Sequence, residues 1–210
     1  MFKLFYSPGS CALTSHIALE EAGAAYELQL VKLGEQQQRT PEYLKVNPKG
    51  RVPALQTPRG VLTENPAILA FIAQTHPQAK LAPLNDPFAF ADMQAFNSFL
   101  CATVHPTFAH MFRPGRYADD ERSHAAMRAK VPATLDEHFG IVERRLSDGR
   151  EWVCGDFSVA DCYLYVFARW YQREGMGTPQ SRPLVRAHLE RMQGRPAVLK
   201  ALSQEGQSAL

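Results

Sequence analysis

Hydrophobic and polar positions fall into two textures along the chain. In residues 1–80, short β-like runs, "KLFY", "YELQLV", "PALQT" and "GVLT", alternate with the helix-like runs "CALTSHIALEEAG" and "NPAILAFIAQTH". That alternation predicts a mixed sheet carrying helices. The segment "LAPLNDP", residues 81–87, interrupts helical sequence with two prolines, Asn85 and Asp86, and is expected to be a linker. From residue 88 to residue 210 the pattern is almost wholly helical.

In the first helix Leu13 and Ile17 follow the three-to-four spacing, Ala12, Ala18 and Leu19 widen the stripe, and Gly23 ends it. Phe88, Met93, Phe96, Phe99, Leu100 and Val104 repeat along one face of a long helix that Pro106 should kink or end. A second long helix is expected from Asp119 to Leu146, bent at Pro132. In "GDFSVADCYLYVFARWY", Ser158 and Asp161 form the S-x-x-D start of a capped helix, and its apolar continuation belongs in the core. Asp161 is therefore expected to cap rather than catalyse. Pro183 and Pro196 should open the last two helices. "GEQQQRTPE", residues 34–42, reads as a polar loop.

Composition narrows the class. The 210 residues are 45% hydrophobic and 21% charged, which suits a soluble globular protein with a real core. A formal net charge of +2, without a Lys/Arg block, gives no electrostatic reason to expect nucleic acid or an anionic membrane as partner. "MFKLFYSPG" reaches Ser-Pro-Gly too soon for a signal peptide's apolar core, and "YLYVFA" stops well short of the roughly 18 apolar residues of a membrane helix. A cytoplasmic location is expected. Cys11, Cys101, Cys154 and Cys162 form no CxxC pair, and in a reducing compartment they should be free thiols. The seven histidines show neither HExxH nor a metal-ligand spacing, and no phosphate-binding or nucleophile-elbow motif occurs.

The chemistry concentrates around a few residues. Cys11 follows the strand-breaking Pro8 and Gly9 and should fall in the first turn of the next helix. There the unpaired amides and the helix dipole would favour a thiolate and lower its pKa, unless the thiol is simply a small buried packing group. Cys101, Cys154 and Cys162, inside or beside apolar helices, read as packing residues. Val52 and Pro53 precede a strand, where a cis bond would present backbone to an extended peptide. Glu64 and Asn65 lie at a helix start suited to an anion, where Asn65 could equally serve only as a cap. His105 alone, next to a proline on an apolar helix, reads as a core or surface histidine.

Together "FYSPGSCALTSHIALEE", "VNPKGRVPAL", "LTENPAIL", "VHPTFAHMFRP" and "GDFSVADCYLY" resemble the bacterial beta-class glutathione transferases in order and spacing. The resemblance implies a thioredoxin-like N-terminal domain with a mixed four-stranded sheet, a helical-bundle C-terminal domain with a hydrophobic pocket, and a homodimer. It implies that glutathione is co-substrate with a small hydrophobic electrophile, and that no metal is required. Cys11 would face the glutathione sulfur, either hydrogen-bonding its thiolate or forming a mixed disulfide. Val52 would pair with the cysteinyl backbone beside a cis Pro53, Glu64 and Asn65 would hold the γ-glutamyl end, and His105, with Ala102, Thr103 and Val104, would approach the sulfur. Tyr6 is left as a core strand residue.

Three positions depart from the family pattern. Gln36 stands where the family has a basic residue for the glycine carboxylate, Asn65 replaces a small residue, and the family's helix asparagine falls on Ser98 with Asn97 beside it. Phe108, Met111, Phe112, Trp170 and Tyr171 are expected to shape the second-substrate pocket. These departures keep a rival open, a non-catalytic ligand-binding or protein-interaction module of the same fold.

Overall fold

The computed structural model describes residues 1–209. Its sheet is built from β1 (Phe2–Tyr6), β2 (Tyr26–Leu30), β3 (Ala54–Thr57) and β4 (Gly60–Thr63) in the order β2-β1-β3-β4. The first pair is parallel and the others antiparallel, with Leu4 opposite both Leu28 and Leu55. The parallel pair requires a crossover, which α1 (Ala12–Glu21) supplies. A short α2 (Pro41–Val46) and α3 (Asn65–Thr75) complete this half.

The helical half contains α4 (Pro87–Phe99), a π-helical segment Leu100–Val104, α5 (His105–Phe112), α6 (Glu121–Leu146), α7 (Val159–Tyr171), α8 (Pro183–Gln193) and α9 (Pro196–Gln204). Pro106 ends no helix. Lacking an N–H, it cannot continue the i→i−4 ladder, and the chain absorbs the defect as a π-helical turn. Pro132 lies inside α6, which runs on through it. Among the described residues no helix is long and apolar enough to cross a membrane.

Two local expectations change. Residues 34–42 are not all loop, because Thr40 caps α2 by accepting from the Tyr43 amide at 3.3 Å, with Pro41 as first helical residue. Nor is α1 amphipathic. Every residue from Ala12 to Leu19 is buried, since the helix packs on α3 on one side and on α7 and α9 on the other. Its polar members are paired inside: His16 Nδ1 meets Glu205 Oε1 at 3.0 Å, and Ser15 donates to Asn65 Oδ1 at 2.7 Å.

The two halves meet on the loop before α1. The Gly9 amide donates to Glu205 Oε2 at 3.0 Å, and the Gly9 carbonyl accepts from Trp170 Nε1 at 3.2 Å. Gly9 has φ +66, a left-handed conformation that costs glycine little. The core helix α7 begins with the expected cap: Ser158 Oγ accepts from Ala160, and Asp161 Oδ2 accepts from the Ser158 amide at 2.9 Å.

Candidate active site

Between the sheet half and the helical half lie two cavities of about 450 and 270 Å³, with Cys11, Arg51, Val52 and His105 in the walls of both. Cys11 is the N-cap of α1 rather than a member of its first turn, and no side-chain hydrogen bond caps the helix there. Asn65 fixes its backbone by donating from Nδ2 to the Cys11 carbonyl at 2.9 Å, and the thiol donates to the Val52 carbonyl at 3.5 Å.

The expected fall in the Cys11 pKa does not occur. Although part of Cys11 opens on the cleft, burial pushes its thiol up to about 12, the neighbouring Cys101 adds to the rise, and backbone hydrogen bonding opposes it only weakly. Desolvation outweighs the helix end. At neutral pH Cys11 is therefore a thiol able to donate a hydrogen bond.

Val52 is joined to Pro53 by a cis peptide bond, just before β3. The Arg51 carbonyl before it is held by Tyr43 Oη and Asn47 Nδ2, each at 2.7 Å. No acceptor among the described residues takes the Val52 amide, which leaves an extended edge for a peptide backbone. Glu64 caps α3 with φ 71 and ψ 121, a strained conformation of order 1 kcal/mol or more for a non-glycine residue. Its carboxylate pairs with Lys49 at 2.6 Å. Asn65 lines the smaller cavity, yet its side chain is committed to Ser15 and Cys11, so it positions the two helix starts against each other.

His105 opens α5 directly after the π-helical segment and packs its ring on Phe167 at 5.2 Å and Trp170 at 5.7 Å. Burial, reinforced by Arg116 and Arg51, lowers its pKa from 6.5 to about 4. The imidazole is thus uncharged at neutral pH. An unfolded chain takes up this proton near pH 6.5 and the folded chain only near pH 4, so the stability tied to neutral His105 is complete above pH 6.5 and is lost as pH falls toward 4. A proton NMR titration of the ring is expected to show no inflection between pH 5 and 8; a midpoint near 6.5 would refute the burial argument.

Cys11, Val52, Pro53, Glu64, Asn65 and His105 are brought together, and the other candidates for glutathione contact, Gln36, Asn97, Ser98, Ala102, Thr103 and Val104, are not. Gln36 is exposed in a left-handed turn, whereas Gln38, two residues on, is buried and lines the larger cavity. Asn97 is buried and donates to Gln94 Oε1 at 3.0 Å, while Ser98 is exposed on the same helix. Ala102, Thr103 and Val104 occupy the π-helical segment without lining either cavity; Val104 is core, and the Thr103 carbonyl accepts from Thr107. Phe108, Phe112 and Trp170 line the larger cavity. Met111 does not, and Tyr171 stacks on Phe139 at 4.0 Å and donates to Asp136.

Cys101 is the correction in the other direction. It lines the smaller cavity together with Cys11 and Tyr163 rather than merely packing. Its position four residues before His105 was the available signal, since that spacing repeats a helix face. Arg51, inside "KGRVPAL", and Arg116 were also missed and carry, among the described residues, the only fixed charges common to both cavities.

A thioredoxin-like sheet joined to a helical half, with a thiol at the junction, defines a two-domain thiol-handling fold. Comparison with known proteins makes that specific. Residues 1–74 match the glutathione S-transferase N-terminal domain, and residues 96–196 match its C-terminal domain. Glutathione S-transferase GstA of Escherichia coli O157:H7 is 35% identical over 208 residues, covering 97% of this chain and 98% of that protein. A glutathione transferase homolog from Sulfitobacter, solved with bound glutathione, superposes with a TM-score of 0.91 at 36% identity, covering 99% of both chains. A bacterial beta-class enzyme from Sphingomonas chungbukensis gives 0.84 at 36% identity, covering 98% of this chain and all of the other. The chain belongs to the glutathione S-transferase family and is a transferase, which sets aside the non-catalytic module.

Proposed function

We propose that the cleft binds glutathione with its sulfur between Cys11 and His105 and directs the thiolate at an electrophilic carbon. The observation that carries this reading is the convergence of Cys11, His105 and the unpaired Val52 amide on one cleft. Glutathione bound in similar solved structures supports it. In this reading Val52 pairs with the cysteinyl backbone, and the exposed carboxylate of Glu64 with the α3 start meets the γ-glutamyl end. Arg51 supplies the positive charge for the glycine carboxylate that Gln36, turned away from the cleft, cannot supply. Residues 1–80 would hold the tripeptide, 81–87 would link, and 88–210 would wall the second site.

The residues divide the work. The proton of the glutathione thiol passes to solvent, because His105, with its pKa lowered to about 4, is too weak a base to hold it; the neutral ring stands beside the sulfur as a hydrogen-bonding partner. The Cys11 thiol turns its hydrogen bond from Val52 to the resulting thiolate, and Arg51 and Arg116 favour the negative charge. The sulfur attacks carbon, the new C–S bond forms, and the leaving group departs with its electron pair. Holding both reactants together supplies much of the rate. Thiol transfer through Cys11 ranks second, because a pKa of about 12 leaves only about one Cys11 in 10⁵ ionised at pH 7. A homodimer in a reducing cytoplasm completes the proposal, the dimer being supported by the exposed Phe88 in the first turn of α4. The deciding experiment is calorimetry with glutathione followed by conjugation assays using an aryl halide, an epoxide and a mixed disulfide. Binding with conjugation is expected; no heat at millimolar glutathione would overturn the reading.

A further inference from the structure

We propose that the second substrate is an aromatic electrophile bearing a carboxylate or sulfonate, gripped by Arg113, Arg116 and Arg173 against the rings of Phe112 and Trp170. This rests on the transferase reading and names the substrate class of the same cleft. The sequence suggested an apolar pocket. The structure instead lines the larger cavity with four arginines and, among the described residues, no carboxylate.

With Arg51 assigned to the glycine carboxylate of glutathione, Arg113, Arg116 and Arg173 remain in the wall of the larger cavity, Arg116 facing the smaller one as well. None of the three is ion-paired among the described residues. Arg173 rests over the Phe112 ring at 5.6 Å and the Trp170 ring at 6.0 Å, contacts that leave its charge uncompensated. Burial and the like charges of Arg51 and Arg113 depress the Arg116 pKa, the mark of cations crowded without a counter-charge. Such a cluster is relieved by an anion, and guanidinium groups match planar carboxylates and sulfonates through paired hydrogen bonds.

The aromatic part of the inference comes from the same wall. The partly exposed Phe112 and Trp170 meet edge-on with ring centres 6.1 Å apart, and the fully buried Phe108 backs them, parallel to Phe112 at 6.3 Å. A flat ring suits these surfaces. For an aryl chloride the thiolate attacks the carbon bearing chlorine, the C–S bond forms, and chloride leaves with the bonding pair. The thiol proton passes to solvent.

Chlorodinitrobenzoate and its neutral methyl ester test the proposal, each catalysed kcat/KM being divided by its own uncatalysed rate with glutathione. The benzoate is expected to be favoured by about tenfold, and Arg113→Ala, Arg116→Ala and Arg173→Ala should each shrink that ratio severalfold. Raising salt from about 50 to about 500 mM should shrink it further. A ratio near one, or one that ignores all three substitutions, overturns the inference while leaving the transferase reading intact. If neither compound is turned over, aryl chlorides are not the reacting class, and fluorescence binding decides the inference separately. Anilinonaphthalene sulfonate should bind about tenfold more tightly than neutral phenylnaphthylamine in the intact protein, and less so in the arginine variants; equal affinities overturn it.

Discussion

Asp161→Ala is expected to destabilise the protein by about 3–5 kcal/mol, the range for removing one partner from a buried charged network. Asp161 is fully buried, and both oxygens are engaged. Oδ1 accepts from the Val153 amide and from His188 Nε2, each at 3.0 Å, and Oδ2 accepts from the Ser158 amide and hydroxyl. Alanine would strand two amides and an imidazole in the core beneath α7. Asp161→Asn keeps the shape and one acceptor, so a smaller loss of about 1–3 kcal/mol is expected. Urea unfolding measures both through the shift in midpoint. A loss below about 1 kcal/mol for alanine would mean that the network contributes little.

Cys11→Ala should separate the two chemistries open to the thiol. A hydrogen bond to a charged sulfur is worth about 1.5–3 kcal/mol, so conjugation should fall about 10- to 150-fold in kcat/KM. Cys11→Ser retains a donor and should recover most of that loss. Thiol–disulfide exchange needs the sulfur itself and should vanish in both variants. Equal loss of both activities in the serine variant would make Cys11 a nucleophile in each and would remove the donor role.

The sequence carried the fold where punctuation was strong. Ser-x-x-Asp at residues 158–161, Pro183 and Pro196 mark helix starts through local hydrogen bonding and fixed φ, and these are visible without tertiary context. Thr40-Pro41 carried the same signal and was passed over because the surrounding glutamines read as loop. The site was legible as a set of backbone corners: Cys11, Val52, Glu64 and the start of α5 at His105. What stayed hidden depended on neighbours distant in sequence. The helix dipole argues for a thiolate at Cys11, but only the packed structure shows the desolvation that reverses it. Gln36 and Gln38 differ by a left-handed turn that no composition reveals, and the arginine wall collects residues from the β3 approach, the α5 end and the segment after α7.

The clamp on Gly9 has a consequence for how the molecule fails. Because Glu205, after α9, and Trp170, in α7, grip the peptide two residues ahead of Cys11, the position of that sulfur in the candidate site is held by helices distant in sequence. Loss of either grip is expected to displace Cys11 while leaving its thiol chemically untouched, and the sheet alone would carry the cysteine without that support.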